Sequence, residues 1–378
     1  MQSDLVNENS KSTNDKVRSG RNLWAPARKD IPKKKEARCS RQKLSYCVPL
    51  HKSLELQLQV TAGSTEMRNR QRTGGGFQGT ITMAGLDLKI PLMKMSDGFS
   101  IPMLGYGTGT AWYKKNASSS MDKSLIEATT KAAQIGYVHL DGAEVYNTEP
   151  ELGAAIKASK IPRDKLFVTT KVTTNIKDIP GAIDASLKKL GLDHVDLYLI
   201  HEPFFAQSDE ELQQKWRDME GVKKSGKARS IGVSNYYKHH LEATLKTAID
   251  PPAINQIEYH PYLQHGDLIS YHRQKNIAIS AYGPLTPVTR AKEGPLTDYL
   301  DRLAYKYAVS PAEILLRWCL DQDVVAITTT SKEQRMSDYL RALTFKLTPK
   351  EVQEISDLGK TYHYRAFWNK KFAEDDRS

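Results

Sequence analysis

The chain has 378 residues, 39% of them hydrophobic, and a formal net charge of +11. That is enough for one large globular domain or two small ones, and no apolar run approaches the ~20 residues that a membrane span needs. The charge is uneven: residues 1–82 hold 16 Lys and Arg against 7 Asp and Glu, while the remainder holds 39 against 37, so the basicity gives no ground for a nucleic-acid partner of the main body.

Residues 1–82 are rich in Ser, Asn, Lys, Arg and Gly, with runs at Lys33–Lys35 and Gly74–Gly76. This composition predicts a basic, mostly disordered extension. One alternation at 54–60, LELQLQV, reads as a strand with no partner beside it. A targeting or RNA-binding arm stays open for this segment. So does an upstream extension that the mature protein lacks, because Met83 opens a stretch that looks like a natural start. The first residues have no apolar signal-peptide core, and Asp4, Glu8 and Asp15 fit poorly with an acid-poor transit peptide. The three cysteines, Cys39, Cys47 and Cys319, make no metal-ligand pattern, and a reducing, cytoplasmic setting is the simplest expectation.

After Met83 the texture changes, and residues 83–378 are expected to form one domain. LKIPLMKM, the turn at Ser96-Asp97-Gly98 and FSIPMLGYG predict a β-hairpin cap. Eight strand candidates then recur about every ~30 residues, the length of a βαβ unit: 103–106, 137–140, 166–170, 195–200, 230–233, 253–257, 277–281 and 324–327. Helical patterns lie between them at 124–136, 181–191, 209–226 and 311–320, the last opening on Pro311. Several strands are unbroken apolar runs, as expected when both faces are buried. The pattern predicts an α/β fold, a closed (β/α)8 TIM barrel with an N-terminal hairpin.

In such barrels the active site lies at the carboxyl ends of the strands, and here those ends carry polar groups. Strand 2 ends at Asp141, with Tyr146 in the following loop. Strand 3 ends at Lys171, strand 4 at His201 and strand 5 at Ser234-Asn235. Strand 6 carries Gln256, strand 7 ends at Tyr282, and strand 8 runs into Thr328-Thr329-Thr330. Each has a plain structural reading alone: a helix cap, a rim ion pair, a core histidine, packing. A buried Asp, Lys and His pointing at one mouth are harder to explain without chemistry. Metal binding is not expected: His239 and His240 are adjacent, so they should diverge on a helix, and no other spacing suits a metal.

These segments resemble the aldo-keto reductase family. GYVHLDGAEVYNTEPELG (136–153) resembles its segment with the catalytic Asp and Tyr, VTTKV (168–172) its lysine strand and DLYLIHEP (196–203) its histidine strand. GVSNY (232–236), INQIEYHPYLQ (254–264) and AYGPL (281–285) resemble its cofactor segments. GTGTAWYK (107–114), ITTTSKEQR (327–335) and FWNKKF (367–372) resemble a fungal subgroup that reduces α-dicarbonyls, α-keto amides and conjugated polyketones. The resemblance spans about residues 86–370.

It implies Asp141, Tyr146, Lys171 and His201 as a catalytic tetrad, with Tyr146 as proton donor in NADPH-dependent reduction of a small carbonyl compound. A phenol's pKa near 10 is high for acid–base work at neutral pH, and Lys171 beside it is expected to lower that value. Thr108, Gly109, Ser234, Asn235, Gln256, Tyr282, Gly283, Pro284 and Leu285 would meet the cofactor. At the adenosine 2′-phosphate the family's frequent lysine is replaced by Thr329, beside Thr330; Lys332 and Arg335 restore positive charge. Glu202 stands where many members carry Trp, and Gly109 replaces another frequent pocket Trp for which Trp112 is a substitute. Both Glu202 and Trp112 are expected at the substrate. A monomer or weak dimer is expected. A cofactor-binding, redox-sensing regulatory subunit is the alternative, against which the intact tetrad speaks.

Overall fold

The computed structural model describes residues 89–116 and 120–378. The expectations for residues 1–82, with the 54–60 strand, Cys39 and Cys47, and for a start at Met83 lie outside the described residues.

Strands β1 (Leu92–Lys94) and β2 (Ser100–Pro102) form the expected antiparallel hairpin, Met93 opposite Ile101. Eight strands follow: β3 (Leu104–Gly107), β4 (His139–Asp141), β5 (Phe167–Val172), β6 (Val195–Ile200), β7 (Ala228–Ser234), β8 (Ile254–Glu258), β9 (Ala278–Tyr282) and β10 (Val324–Thr328). Each pairs in parallel with the next, and β10 returns to β3, closing the barrel. The helices are α1 (Lys123–Gln134), α2 (Glu149–Ser159), α3 (Ile179–Leu190), α4 (Asp209–Lys224), α5 (Lys238–Leu245), α6 (Leu268–Lys275), α7 (Thr286–Thr289), α8 (Thr297–Tyr307), α9 (Pro311–Leu320), α10 (Glu333–Leu340) and α11 (Pro349–Lys360). Parallel neighbours need crossovers, and these helices supply them. Their ends are written locally. Asp122 accepts from the backbone of Ser124 and Leu125 to start α1, and Thr348 and Glu351 cap α11 reciprocally.

Seven of the eight barrel strands shift by one or two residues from the expected bounds, and two of these shifts bear on the site. The strand expected at 137–140 lies at His139–Asp141, because Tyr137 turns outward and its hydroxyl donates to the Met336 carbonyl at 3.0 Å. The strand expected to stop at Thr170 continues to Val172, so Lys171 is part of the sheet wall.

Strand alternation decides what fills the barrel. Phe167, Leu197, Leu199, Ile254, Val325 and Ile327 point inward and form an apolar floor, plugged from below by Ile101 and Met95 of the hairpin. Val168, Val172, Tyr198 and Ile200 point outward and pack with the helices. Two residues above Phe167 the inward position is Thr169, which meets buried His139 at 3.1 Å. Burial pushes His139 down to about 4, which keeps it neutral. The next inward position is Lys171. The interior thus runs from apolar floor to ionic mouth.

Two glycines should respond oppositely to one methyl group. A Cβ on Gly153 of α2 would meet the Leu190 carbonyl oxygen at 2.3 Å, whereas Gly221 of α4 faces open space. Gly153→Ala should destabilise by about 1–3 kcal/mol through overpacking, and Gly221→Ala should stabilise by about 0.5–1 kcal/mol. Denaturant midpoints on the two variants check both signs.

Candidate active site

Asp141 ends β4, and the chain turns at once into a short 3-10 segment, Glu144–Tyr146. Glu144 holds that turn: its buried carboxylate accepts from the backbone N–H groups of Thr173 and Asn175 at 2.7 and 3.0 Å. Tyr146 is thereby set against the end of β5. The Lys171 ammonium lies 5.2 Å from the centre of the Tyr146 ring. It donates to Asp141 Oδ1 at 2.6 Å and to the Gly142 carbonyl at 2.8 Å. Gln256 Nε2 donates to the other oxygen of Asp141 at 2.9 Å. On the far side, Tyr146 Oη and His201 Nε2 are 3.4 Å apart. The four residues expected as a tetrad do come together at the mouth.

Their protonation follows from burial and from one another. Burial alone would lower Lys171, but Asp141 and Tyr146 outweigh it and hold the ammonium above its usual 10.5. Burial, together with the Lys171 charge, drives His201 well below 6.5, so it is a neutral imidazole. For Tyr146 the expectation needs correction. Lys171 does pull the phenol down, as anticipated, but burial is the larger effect and Asp141 adds to it, leaving Tyr146 above 10. The phenol is therefore a held proton.

The mouth opens into a cavity of about 290 Å³ that runs past Tyr146, Gln256 and Tyr282 to Arg335 and Tyr339. Gly109, Gly283, Pro284, Leu285 and Thr329 also line it. The other expected residues stand elsewhere. Thr108 is buried behind the wall, donating to the Asp141 carbonyl. Ser234 donates to the Gln256 carbonyl at 2.8 Å, and Asn235 to the His201 carbonyl at 2.9 Å. Tyr282 Oη donates to Asn235 Oδ1 at 2.6 Å, so this group ties four strand ends together. Thr330 and Lys332 lie outside the lining, Lys332 exposed at the start of α10. Trp112 also lies outside it, its indole donating to Thr329 Oγ1 at 3.1 Å. Glu202 is held by Thr173 at 3.0 Å and by the Phe204 N–H. His239 and His240 do not diverge; their rings are 3.8 Å apart at the start of α5. Among the described residues no cluster of His, Cys, Asp or Glu is placed to hold a metal, and no helix there is long and apolar enough to cross a membrane.

The aldo/keto reductase family model matches residues 103–360. The chain belongs to that family. It is 40% identical to an NAD/NADP-dependent indole-3-acetaldehyde reductase of Schizosaccharomyces pombe, over 71% of this chain and 96% of the relative. It is 38% identical to an NADPH-dependent alpha-keto amide reductase of Saccharomyces cerevisiae, over 74% and 95%. Among solved structures, an aldo-keto reductase of Bombyx mori in complex with NADP matches with a TM-score of 0.65 at 33% identity, over 71% of this chain and 93% of that one.

The cavity suits the dinucleotide that this family uses. A dinucleotide needs a long slot, an aromatic seat at one end and cations for its phosphates. Tyr282 and Arg335 both line the cavity. Backbone is brought close where side chains would intrude. The Tyr146 ring occupies the space of a Gly109 side chain, 2.7 Å from where a Cβ would be, and Gly283 has a φ of +65° that glycine adopts without strain. His201 Nδ1 is buried with no partner. Glu144 and Glu258, which anchor the rim, and Thr286, Thr289, Arg290, Tyr339 and Phe367, which line the cavity, are among the residues passed over in the sequence. Glu258 had a local signal, two residues beyond Gln256 on the same face of β8.

Removing one half of the buried pair is strongly destabilising, because the other half is left charged, buried and unpaired. Lys171→Met should cost about 3–5 kcal/mol of folding stability, and adding Asp141→Asn should restore part of the loss. Urea unfolding of the single and double variants measures this; a purely additive loss would deny the coupling.

Proposed function

We propose that the chain reduces aldehydes and ketones with NADPH, and that Tyr146 gives its proton to the carbonyl oxygen. The observation that carries this reading is the phenol of Tyr146, set between a buried ammonium and a neutral imidazole at the floor of the cavity. When bound, the nicotinamide supplies the hydride. The residues of the chain do the rest. Lys171 favours the phenolate left after proton transfer, and Asp141 keeps Lys171 charged and aimed. His201, neutral and facing the same hydroxyl, orients the carbonyl oxygen. Tyr282 would seat the nicotinamide ring, Ser234, Asn235 and Gln256 its carboxamide. Arg335, with Lys332 near it, would favour the 2′-phosphate. The substrates proposed are α-dicarbonyls, α-keto amides or conjugated polyketones, a reading supported by the similarity to the Saccharomyces cerevisiae alpha-keto amide reductase.

Two experiments test this. Tyr146→Phe should lose about 10²–10⁴-fold in kcat for NADPH-dependent diketone reduction while binding NADPH as tightly as the wild type, measured by fluorescence titration. Retention of half the wild-type kcat would end the assignment. The pH profile is the second. A donor held above 10 is lost only as pH rises past that value, and an imidazole held below 6.5 becomes charged only below it. At saturating NADPH, kcat/KM should therefore be flat from about pH 6.5 to about pH 10. A limb centred near pH 8 would contradict these roles.

A further inference from the structure

We infer that a second cavity, on the helical side of the barrel wall, binds a small soluble phosphate monoester through Arg273, Arg377 and Lys360. The inference goes beyond the reductase reading and uses none of the residues that line the cavity at the barrel mouth.

This cavity measures about 410 Å³ and lies between the loop that follows β8, helix α6 and helix α11. No strand residue lines it. Its volume falls in the range of small-molecule sites, roughly 300–1,000 Å³. Tyr259, Tyr262, Leu263 and Ile269 give it a buried, mostly apolar floor.

The neutral polar groups of the wall are already bonded to the protein. Gln264 Nε2 donates to the Pro261 and Ser356 carbonyls at 2.7 and 2.8 Å, and Tyr259 Oη donates to Gln322 Oε1 at 3.1 Å. Ser270 donates to the Asp267 carbonyl at 2.7 Å, and Gln353 Nε2 to Asp357 Oδ1 at 2.8 Å. These bonds hold the wall in shape, so little order has to be gained when a ligand enters.

The cations are not matched in this way. Arg273, Lys360 and Arg377 line the cavity, and no Asp or Glu does. Arg377 donates to the Lys360 carbonyl at 2.8 Å, and neither arginine makes an ion pair among the described residues. Lys360 lies 3.6 Å from Asp357, an exposed pair that water screens. Burial holds His265 in the wall down to about 4, so it adds no charge. Three like charges around one void repel one another, and an anion between them relieves this. Two guanidinium forks suit the oxygens of a phosphoryl group, which they can grip in pairs. A neutral ligand would leave the cations unmatched, and bare phosphate would leave the floor uncovered; a phosphate ester with a small carbon body satisfies both.

The test is binding of phenyl phosphate to the full chain, by isothermal titration at low salt. The wild type should bind with a Kd of about 0.1–1 mM. Arg273→Gln and Arg377→Gln should each weaken binding by about three- to tenfold, and the double variant by about tenfold or more. Both side chains are exposed, so the melting temperature should change little and lost binding is not lost folding. Inorganic phosphate should bind about fivefold more weakly than phenyl phosphate, because it covers none of the floor, and benzyl alcohol should not bind. Arg335→Ala is the control for the cavity at the barrel mouth, and its Kd for phenyl phosphate should match the wild type within about twofold. Sedimentation with vesicles of phosphatidylcholine and phosphatidate separates a soluble ester from a lipid headgroup, and the vesicles should not carry the chain down. Equal Kd values in the double variant and the wild type would overturn the inference, as would a loss that falls on Arg335→Ala in its place. Inorganic phosphate binding as tightly as phenyl phosphate, or vesicle capture that the double variant abolishes, would overturn it too. All of these outcomes leave the reductase reading untouched.

Discussion

A lysine ammonium with no exposure to solvent must be paired with an opposite charge and hydrogen-bonded, or the barrel cannot hold it. Lys171 meets that demand through Asp141 and the Gly142 carbonyl. Asp141 in turn needs a second donor and has Gln256. The pair joins β4, β5 and β8 across the barrel interior, so the register of three strands is tied to one charge. The same charge sets the neighbours' chemistry: it opposes the rise of Tyr146 and deepens the fall of His201. Packing and site are thus one arrangement. The floor excludes water with Leu197, Leu199, Val325 and Ile327, and that dryness is what makes the charge above it effective.

Around the mouth, carboxylates fasten loops where apolar packing is thin. Glu144 holds the Tyr146 turn to the loop after β5. Glu202 joins that loop, through Thr173, to the backbone at Phe204. Glu258 holds the C-terminal segment across the end of β8. Each accepts from backbone N–H groups, so each fixes chain position and leaves side chains to vary. Phe204 then meets Trp368 and Phe372 of the C-terminal segment, at 5.3 and 5.8 Å between centroids. The rim is a set of short anchors bridged by aromatic contacts, built on the ends of the barrel strands.

Gly109 and Trp112 show how rim detail escapes residue-by-residue matching. Gly109 stands where a larger residue is frequent, and the space is already filled by the Tyr146 ring. Trp112 is near in sequence, yet its indole is bonded to Thr329, and Trp112 is not itself part of the cavity lining. A side chain that is missing at one position is not simply returned by a neighbour three residues on, because the backbone between them chooses the direction.

The barrel was legible in the sequence because its signals are local. Apolar runs of strand length, helical repeats, caps and turn residues each act over a few positions, and strand alternation then carries Phe167, Thr169 and Lys171 to one face without further information. The strand ends named Asp141, Lys171 and His201, and they do converge. Three things depended on the tertiary structure. The net direction of the Tyr146 shift was set by burial against charge, and burial is unknown until the loops close. The turning of Ser234, Asn235 and Gln256 onto one another and onto neighbouring strand ends depends on distances across the barrel. The meeting of Phe367 with Arg290 and Tyr282 joins residues some eighty positions apart through the Glu258 anchor. Local propensity determines elements; contacts between distant loops leave no periodic mark in the chain, and only the closed barrel brings them within reach.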